Sequence, residues 1–322
     1  MINLTHWNGW LGKRMFLGVL VALAAGFNCQ VTYSPDLKIA LIALFGYMTF
    51  ATALETSLRR FFQVLSRPWV PLWILFLVHI ATPLASWLVG YIFFPEDAYV
   101  RMGYLIAAAI PVGVTSIMWT SLENGNVPVS LVTVTLDTLI VPLFLPAFFL
   151  VTVGKAIAFD YRDMMLQLLW MITIPSVAGM VIHDLSGGRS AAFAKGFGGL
   201  TGKLAFFVMI FLNAAVVGPG ITWSAAIVKI LLVTLFMVAL GYCIGYWGGF
   251  AVRGRPADIT VAMVYNVGLR NIAAGLLLAI AYFPPAVAVP ITLFILFQQP
   301  LATLVPMVLR RLGRDCRPSE DK

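Results

Sequence analysis

Arg270 and Asp137 are the residues most at odds with their surroundings, because each lies inside a long apolar run. An ionisable side chain in hydrocarbon costs a few kcal/mol or more, so it needs a partner and marks a site where function is concentrated. The two can neutralise one another as a buried ion pair that locks helices. They can also divide the work, with Arg270 taking a carboxylate and Asp137 balancing its charge when the site is empty. His79, midway along another apolar run, reads either as a neutral packing residue or as a proton-responsive group. Glu55 has Arg59 one helical turn on, the spacing of an interfacial salt bridge.

Around these residues one device is built twice. Val112-Gly113-Val114-Thr115-Ser116 and Val267-Gly268-Leu269-Arg270-Asn271 lie about half the chain apart, each placing glycine and polar side chains in mid-segment. Backbone broken at membrane depth is tolerated only where protein buries it or where it lines a cavity. Pro111 favours the first break by removing a donor, and Asn266 takes the equivalent slot in the second. Half-helices starting near Val114 and Leu269 would turn their positive N-terminal ends toward a shared centre that suits an anion. Thr115, Ser116, Asn266, Asn271, Ser130 and Thr133 supply a polar lining, which Gln298 and Gln299 can join.

Composition sets the frame that must position these groups. The chain has 322 residues, 61% hydrophobic and 11% charged, where a soluble domain carries about a quarter charged residues. A spanning helix takes roughly 20 apolar residues. Ten spans fit, at about 14–32, 38–54, 68–94, 101–122, 127–153, 164–183, 202–219, 223–251, 258–282 and 285–309. The net charge of +8 suggests no nucleic-acid partner, because it is distributed by side of the membrane. Lys13, Arg14, Arg59, Arg60, Arg67, Arg189, Lys195, Lys203, Arg253, Arg255 and the tail basic residues fall on one side. Only Lys38, Arg101, Lys155, Arg162 and Lys229 fall on the other. That bias puts both termini in the cytoplasm.

The expected architecture is therefore an all-α polytopic membrane protein of ten transmembrane helices in two inverted five-helix repeats, 1–160 and 161–322, with broken spans four and nine crossing. Duplicated, interrupted helices of this kind point to a secondary transporter that binds its substrate near the bilayer midplane. Gly241, Gly245 and Gly249 in span eight read as a close helix-packing stripe. The run Gly198-Gly199-Leu200-Thr201-Gly202-Lys203 has the wrong glycine spacing for a phosphate loop. The three cysteines and the scattered His6, His79 and His183 give neither metal-ligand spacing nor a nucleophile–base pair, so neither an enzyme nor a metal site is expected.

These residues also carry a family resemblance. The run from Pro111 to Val127, with Gly113, Thr115, Ser116, Met118, Thr120, Leu122, Gly125 and Asn126, resembles the fourth span of the bile acid:sodium symporter family, P-G-G-T-x-S-N-V-M-T-Y-L-A-x-G-N-V. Asn266-Val267-Gly268-Leu269-Arg270-Asn271 resembles its ninth-span motif E-V-G-M-Q-N, and Val287-Ala288-Val289-Pro290 the start of its tenth span. The resemblance implies a panel of spans 1, 2, 6 and 7 and a core of spans 3–5 and 8–10. It also implies two sodium ions behind the crossing, held by spans 3, 4, 5 and 9. Position by position, Ser116 and Ser130 are kept, but Ile117 and Val134 stand where ligands are expected. Asn266 replaces a glutamate, Arg270 a glutamine, and Val78, beside His79, the span-three glutamine.

A guanidinium at a sodium-ligand position repels a bound cation. The expected function is a secondary transporter of a small or amphipathic organic anion, working by alternating access without the usual two-sodium coupling. Arg270, Asn271, Asn266, Thr115 and Ser116 are the candidate substrate residues, and Asp137, His79, Ser130 and Thr133 the candidate coupling or ion-pair residues. The coupling ion is left open between proton, sodium and none. The alternative is a sodium-coupled, bile-acid-like symporter whose site is rebuilt from Asp137, Ser130, Ser116 and Asn266. The expected location is the inner membrane, multi-pass, with the lipid bilayer as partner and no cofactor.

Overall fold

The structure is a computed structural model that describes residues 4–55, 57–58, 69–152, 161–218 and 224–312. Among them the regular structure is helical, apart from one isolated antiparallel bridge. In chain order the helices are α1 (Leu4–Lys13), α2 (Met15–Phe27), α3 (Pro35–Ala53), α4 (Trp69–Phe93), α5 (Ala98–Ala109), α6 (Thr115–Leu122) and α7 (Val127–Thr152). Then follow α8 (Arg162–Leu185), α9 (Ser190–Val217), α10 (Ala225–Gly248), α11 (Ala257–Gly268), α12 (Ile272–Tyr282) and α13 (Pro285–Arg311). Ser34, Asp97 and Ser224 start α3, α5 and α10 by accepting a hydrogen bond from the backbone N–H three residues on.

Seven of these helices are long and apolar enough to cross a membrane, or eight if the bent α1–α2 pair counts as one span. Large apolar side chains such as Val21, Ile39, Trp69, Leu143, Val151, Trp170 and Phe250 stand exposed, as a lipid-facing surface requires. The chain is thus an all-helical polytopic membrane protein. The stretches expected as interrupted spans four and nine are each two short helices, α5 with α6 and α11 with α12, joined by non-helical residues. The Glu55–Arg59 pairing, and the basic residues Arg60, Arg67, Lys155, Arg314, Arg317 and Lys322, lie outside the described residues.

The chain forms two compact units. The first comprises residues 1–66, 138–221 and 276–288, and the second 67–137, 222–275 and 289–322. In the first, α2 packs on α9 and α3 on α8 through glycines. A Cβ at Gly26 would meet the Phe211 carbonyl oxygen at 2.5 Å, and one at Gly179 the Ala53 Cβ at 2.7 Å. The short helix α1, ahead of the expected first span, is tied to α9. The Asn8 side-chain amide donates to the Lys195 carbonyl at 2.7 Å, and Lys203 Nζ donates to the Asn8 carbonyl at 2.8 Å. The Gly198–Lys203 run is helical.

In the second unit α10 packs closely on α11, where a Cβ at Gly245 would come within 2.8 Å of the Met263 carbonyl oxygen. The small-residue stripe of α10 is thus a packing surface. Ile74, Leu77, Val78, Val112, Val134, Met263 and Val267 form an apolar cluster beside the two breaks. Midway along α4 the helix opens into a π-turn, Leu77–Ala81, which carries His79.

Candidate functional site

The site lies within the second unit and starts from the two breaks. Ile110 and Leu269 leave the helical region for extended backbone. Val112 and Arg270 then stand opposite one another as an antiparallel pair. The Gly113 N–H donates to the Leu269 carbonyl and the Asn271 N–H to the Pro111 carbonyl, both at 2.8 Å. This reciprocal pattern is the non-hydrogen-bonded pair of a β-ladder, in which backbones and side chains approach most closely. Gly113 favours this close approach, because a Cβ there would lie 3.1 Å from the Arg270 carbonyl oxygen and push it by a few tenths of an ångström. Gly268 is required for a different reason, since its Cβ would sit 2.2 Å from the Tyr242 ring.

In such a pair the N–H groups of Val112 and Arg270 point outward, away from the ladder. Unsatisfied, each would cost a few kcal/mol in a dry interior. Two side chains meet them. Asp137 Oδ2, from α7, accepts from the Val112 N–H at 2.5 Å, and Gln298 Oε1, from α13, accepts from the Arg270 N–H at 2.6 Å. Gln298 also donates its amide to the Arg270 carbonyl at 3.3 Å, and Tyr242 pins the Gln298 carbonyl through its hydroxyl at 2.8 Å. Asp137 and Gln298 thus do one job on the two sides of the crossing.

The second oxygen of Asp137 is 2.5 Å from His79 Nε2, and both residues are buried. The sequence left two options for Asp137, and the structure corrects the direct ion pair with Arg270. Asp137 pairs with His79 and the Val112 amide, while the Arg270 guanidinium turns to oxygen atoms of α4 and the first break. It donates to the Val78 carbonyl at 3.2 Å, to the Ile110 carbonyl at 3.5 Å and to the Thr82 hydroxyl. Val78, whose carbonyl takes Arg270, and His79, which meets Asp137, both lie in the π-turn of α4. Arg270 and Thr82 also border a cavity of about 20 Å³ walled by Ala107, Ala108, Gly241, Val267 and Phe294. That is room for about one water.

A second polar knot sits beside the crossing. The Asn266 amide donates to Ser130 Oγ at 2.5 Å and to the Ala262 carbonyl at 2.7 Å, and Asn266 Oδ1 accepts from the Ser116 hydroxyl at 3.2 Å. Thr120 closes the ring at 2.8 Å from Ser130 Oγ. All four side chains are fully buried. Thr115 and Asn271 are half-buried at the first turns of α6 and α12, where Asn271 Oδ1 accepts from the Ala274 N–H. Thr133 stays apart, its hydroxyl spent on the Val129 carbonyl of its own helix. Gln299 accepts from the Trp119 indole at 2.9 Å.

Sequence reasoning did not single out Thr82 or Thr120, or the specific task of Gln298. Thr120 had a usable signal, since it follows Ser116 by one helical turn. Nothing local marked Thr82, whose role depends on an arginine far along the chain.

The Sodium Bile acid symporter family matches residues 41–226 of this chain. A Bacillus subtilis (strain 168) protein named "Uncharacterized protein YbaS" is 33% identical over 269 residues, covering 83% of this chain and 88% of that protein. A second protein of that organism, named "Uncharacterized sodium-dependent transporter YocS", is 21% identical over 285 residues, covering 88% and 86%.

Proposed function

The chain belongs to the sodium bile acid symporter family, a family of secondary transporters rather than enzymes, and from that premise we propose that it moves a small or amphipathic organic anion by alternating access without two bound sodium ions. One observation carries this reading: the oxygen cages beside the crossing are already filled by the protein's own N–H donors. Arg270 occupies the oxygens of Val78, Ile110 and Thr82, and the Asn266 amide occupies those of Ser130 and Ala262. A cation entering either cage would have to displace a buried hydrogen bond and, at the first, face a guanidinium at contact distance.

In this reading the substrate site lies at the ends of the same two interrupted helices. Thr115 and Asn271 form its polar edge at the N-terminal ends of α6 and α12, whose dipoles favour negative charge. Arg270 supplies positive potential from behind, and Ser116 and Asn266 hold the frame through their mutual bonds. The wider architecture in this reading is ten spans in two inverted repeats, 1–160 and 161–322, arranged as panel and core in the inner membrane with both termini cytoplasmic. The matching tasks of Asp137 and Gln298 on opposite sides of the crossing support a duplicated origin.

The name of YocS, a sodium-dependent transporter, favours the second reading, sodium symport through a rebuilt site. Against it, the Asp137 carboxylate is committed at both oxygens. Uptake of a labelled panel of cholate, taurocholate and short keto acids into proteoliposomes, with and without sodium, separates the two. Uptake that needs sodium would overturn the first.

A further inference from the structure

The crossing contains its own control. Gln298 satisfies the Arg270 amide as a neutral group, at a distance within 0.1 Å of the Asp137–Val112 bond. The fold therefore does not need an ionisable group for that task, yet on the other side it uses a fully buried carboxylate and bonds it to a histidine at 2.5 Å. On the premise that the chain carries an organic anion, we infer that the His79–Asp137 pair is a proton-binding site and that the proton is the co-transported ion.

The charge arithmetic of the cluster makes the link to substrate. With neutral imidazole donating Nε2–H to ionised Asp137, the carboxylate balances Arg270 and the cluster is neutral. One added proton makes imidazolium and leaves the cluster with one positive charge, which a monovalent anion at the N-terminal ends of α6 and α12 neutralises. In a low-dielectric interior the neutral combinations, empty or carrying proton and anion together, are strongly preferred over either ligand alone. That preference is what coupling requires, since each ligand favours the other by the same factor. The signal also has a short physical path, because Asp137 holds the Val112 N–H of the crossing itself.

The other groups around the pair do not supply this proton. Arg270 attracts Asp137 electrostatically and stays charged. The helices packed against the π-turn, α5, α10 and α11, carry three buried tyrosines whose hydroxyls are engaged with backbone carbonyls. Tyr104, Tyr242 and Tyr265 donate to the carbonyls of Ile230, Gln298 and Ala302. The charged residues of those helices are engaged elsewhere. Arg101 donates to the Phe94 carbonyl, Lys229 lies over the Phe94 ring, and Asp258 accepts from the Asn126 amide.

The test uses proteoliposomes with cholate, taurocholate and short keto acids as labelled probes, under imposed pH gradients and with the membrane potential clamped or varied. A transported monovalent probe should accumulate about tenfold per unit of pH gradient, independently of potential, and acidify the lumen as reported by a trapped pH dye. Asp137→Asn should abolish accumulation while keeping tracer exchange of the same probe, because its amide oxygen can still accept from the Val112 N–H and the unbalanced Arg270 still neutralises the bound anion, a split that a merely misfolded variant does not show. His79→Gln, which leaves Asp137 balancing Arg270 with no proton to add, should lose both. Uptake indifferent to the pH gradient, with exchange intact, would overturn the proton site and leave the anion transporter standing. Wild-type protein that neither accumulates nor exchanges any probe would overturn the transporter reading and the proton site with it.

Discussion

Three glycines at the α10–α11 contact look alike in sequence and differ sharply in space, so alanine at each gives a graded test of the crossing's geometry. At Gly268 the new methyl would sit 2.2 to 2.7 Å from three atoms of the Tyr242 ring. The ring must move, and its hydroxyl bond to the Gln298 carbonyl goes with it. Overpacking costs about 1–3 kcal/mol and the lost hydrogen bond about 1. Alanine at the end of a helix returns only a few tenths of the roughly 0.5–1 kcal/mol it gives in the middle. The net is a loss of about 1.5–3.5 kcal/mol, delivered to the residue that holds Arg270. At Gly245 the obstacles are backbone, the Met263 carbonyl oxygen and Val264 Cα both at 2.8 Å, so whole helices must separate for a similar cost. At Gly241 the nearest atoms are 3.6 Å away, an ordinary contact, so alanine should be neutral or stabilising by up to about 1 kcal/mol. Thermal unfolding of the purified proteins in one detergent ranks them: Gly241→Ala at or above wild type, the other two well below. Gly241→Ala unfolding as early as Gly268→Ala would refute the packing described for this contact.

Other substitutions probe the site directly. Gln298→Leu strands a buried N–H and should cost about 1–3 kcal/mol in stability along with most transport, measured by unfolding and uptake on the same preparation. Thr120→Val removes one member of the Ser116–Asn266–Ser130 knot and should cost about 1 kcal/mol, whereas Thr133→Val, outside the knot, should leave uptake within twofold of wild type. Gly113→Ala pushes a methyl against the Arg270 carbonyl at 3.1 Å, so uptake should fall severalfold while the unfolding temperature changes little.

Much of this arrangement was legible in the chain. Apolar runs located the helices, since lipid leaves little choice of backbone structure, and the paired glycine-centred interruptions located both breaks and their antiparallel meeting. What stayed hidden was the choice of partners. Asp137 has two candidate partners, Arg270 and His79, and no local pattern announces the π-turn in α4 from which His79 meets it while the Val78 carbonyl takes Arg270. Thr133 has the same composition-level credentials as Ser130, yet its hydroxyl returns to its own helix. Helix α1 was missed because its Asn, Gly and Lys dilute the apolar run, and its place depends on contacts with Lys195 and Lys203 far along the chain.

The central claim is that Arg270 stands where a mobile cation would otherwise bind. The most direct measurement is initial uptake of a transported anion into proteoliposomes, with sodium replaced by choline, for wild type and Arg270→Gln. The account predicts equal wild-type rates in the two salts and a loss of at least tenfold in the variant, whichever salt is present. Wild-type uptake that collapses in choline, or a variant that transports as well as wild type, would contradict it.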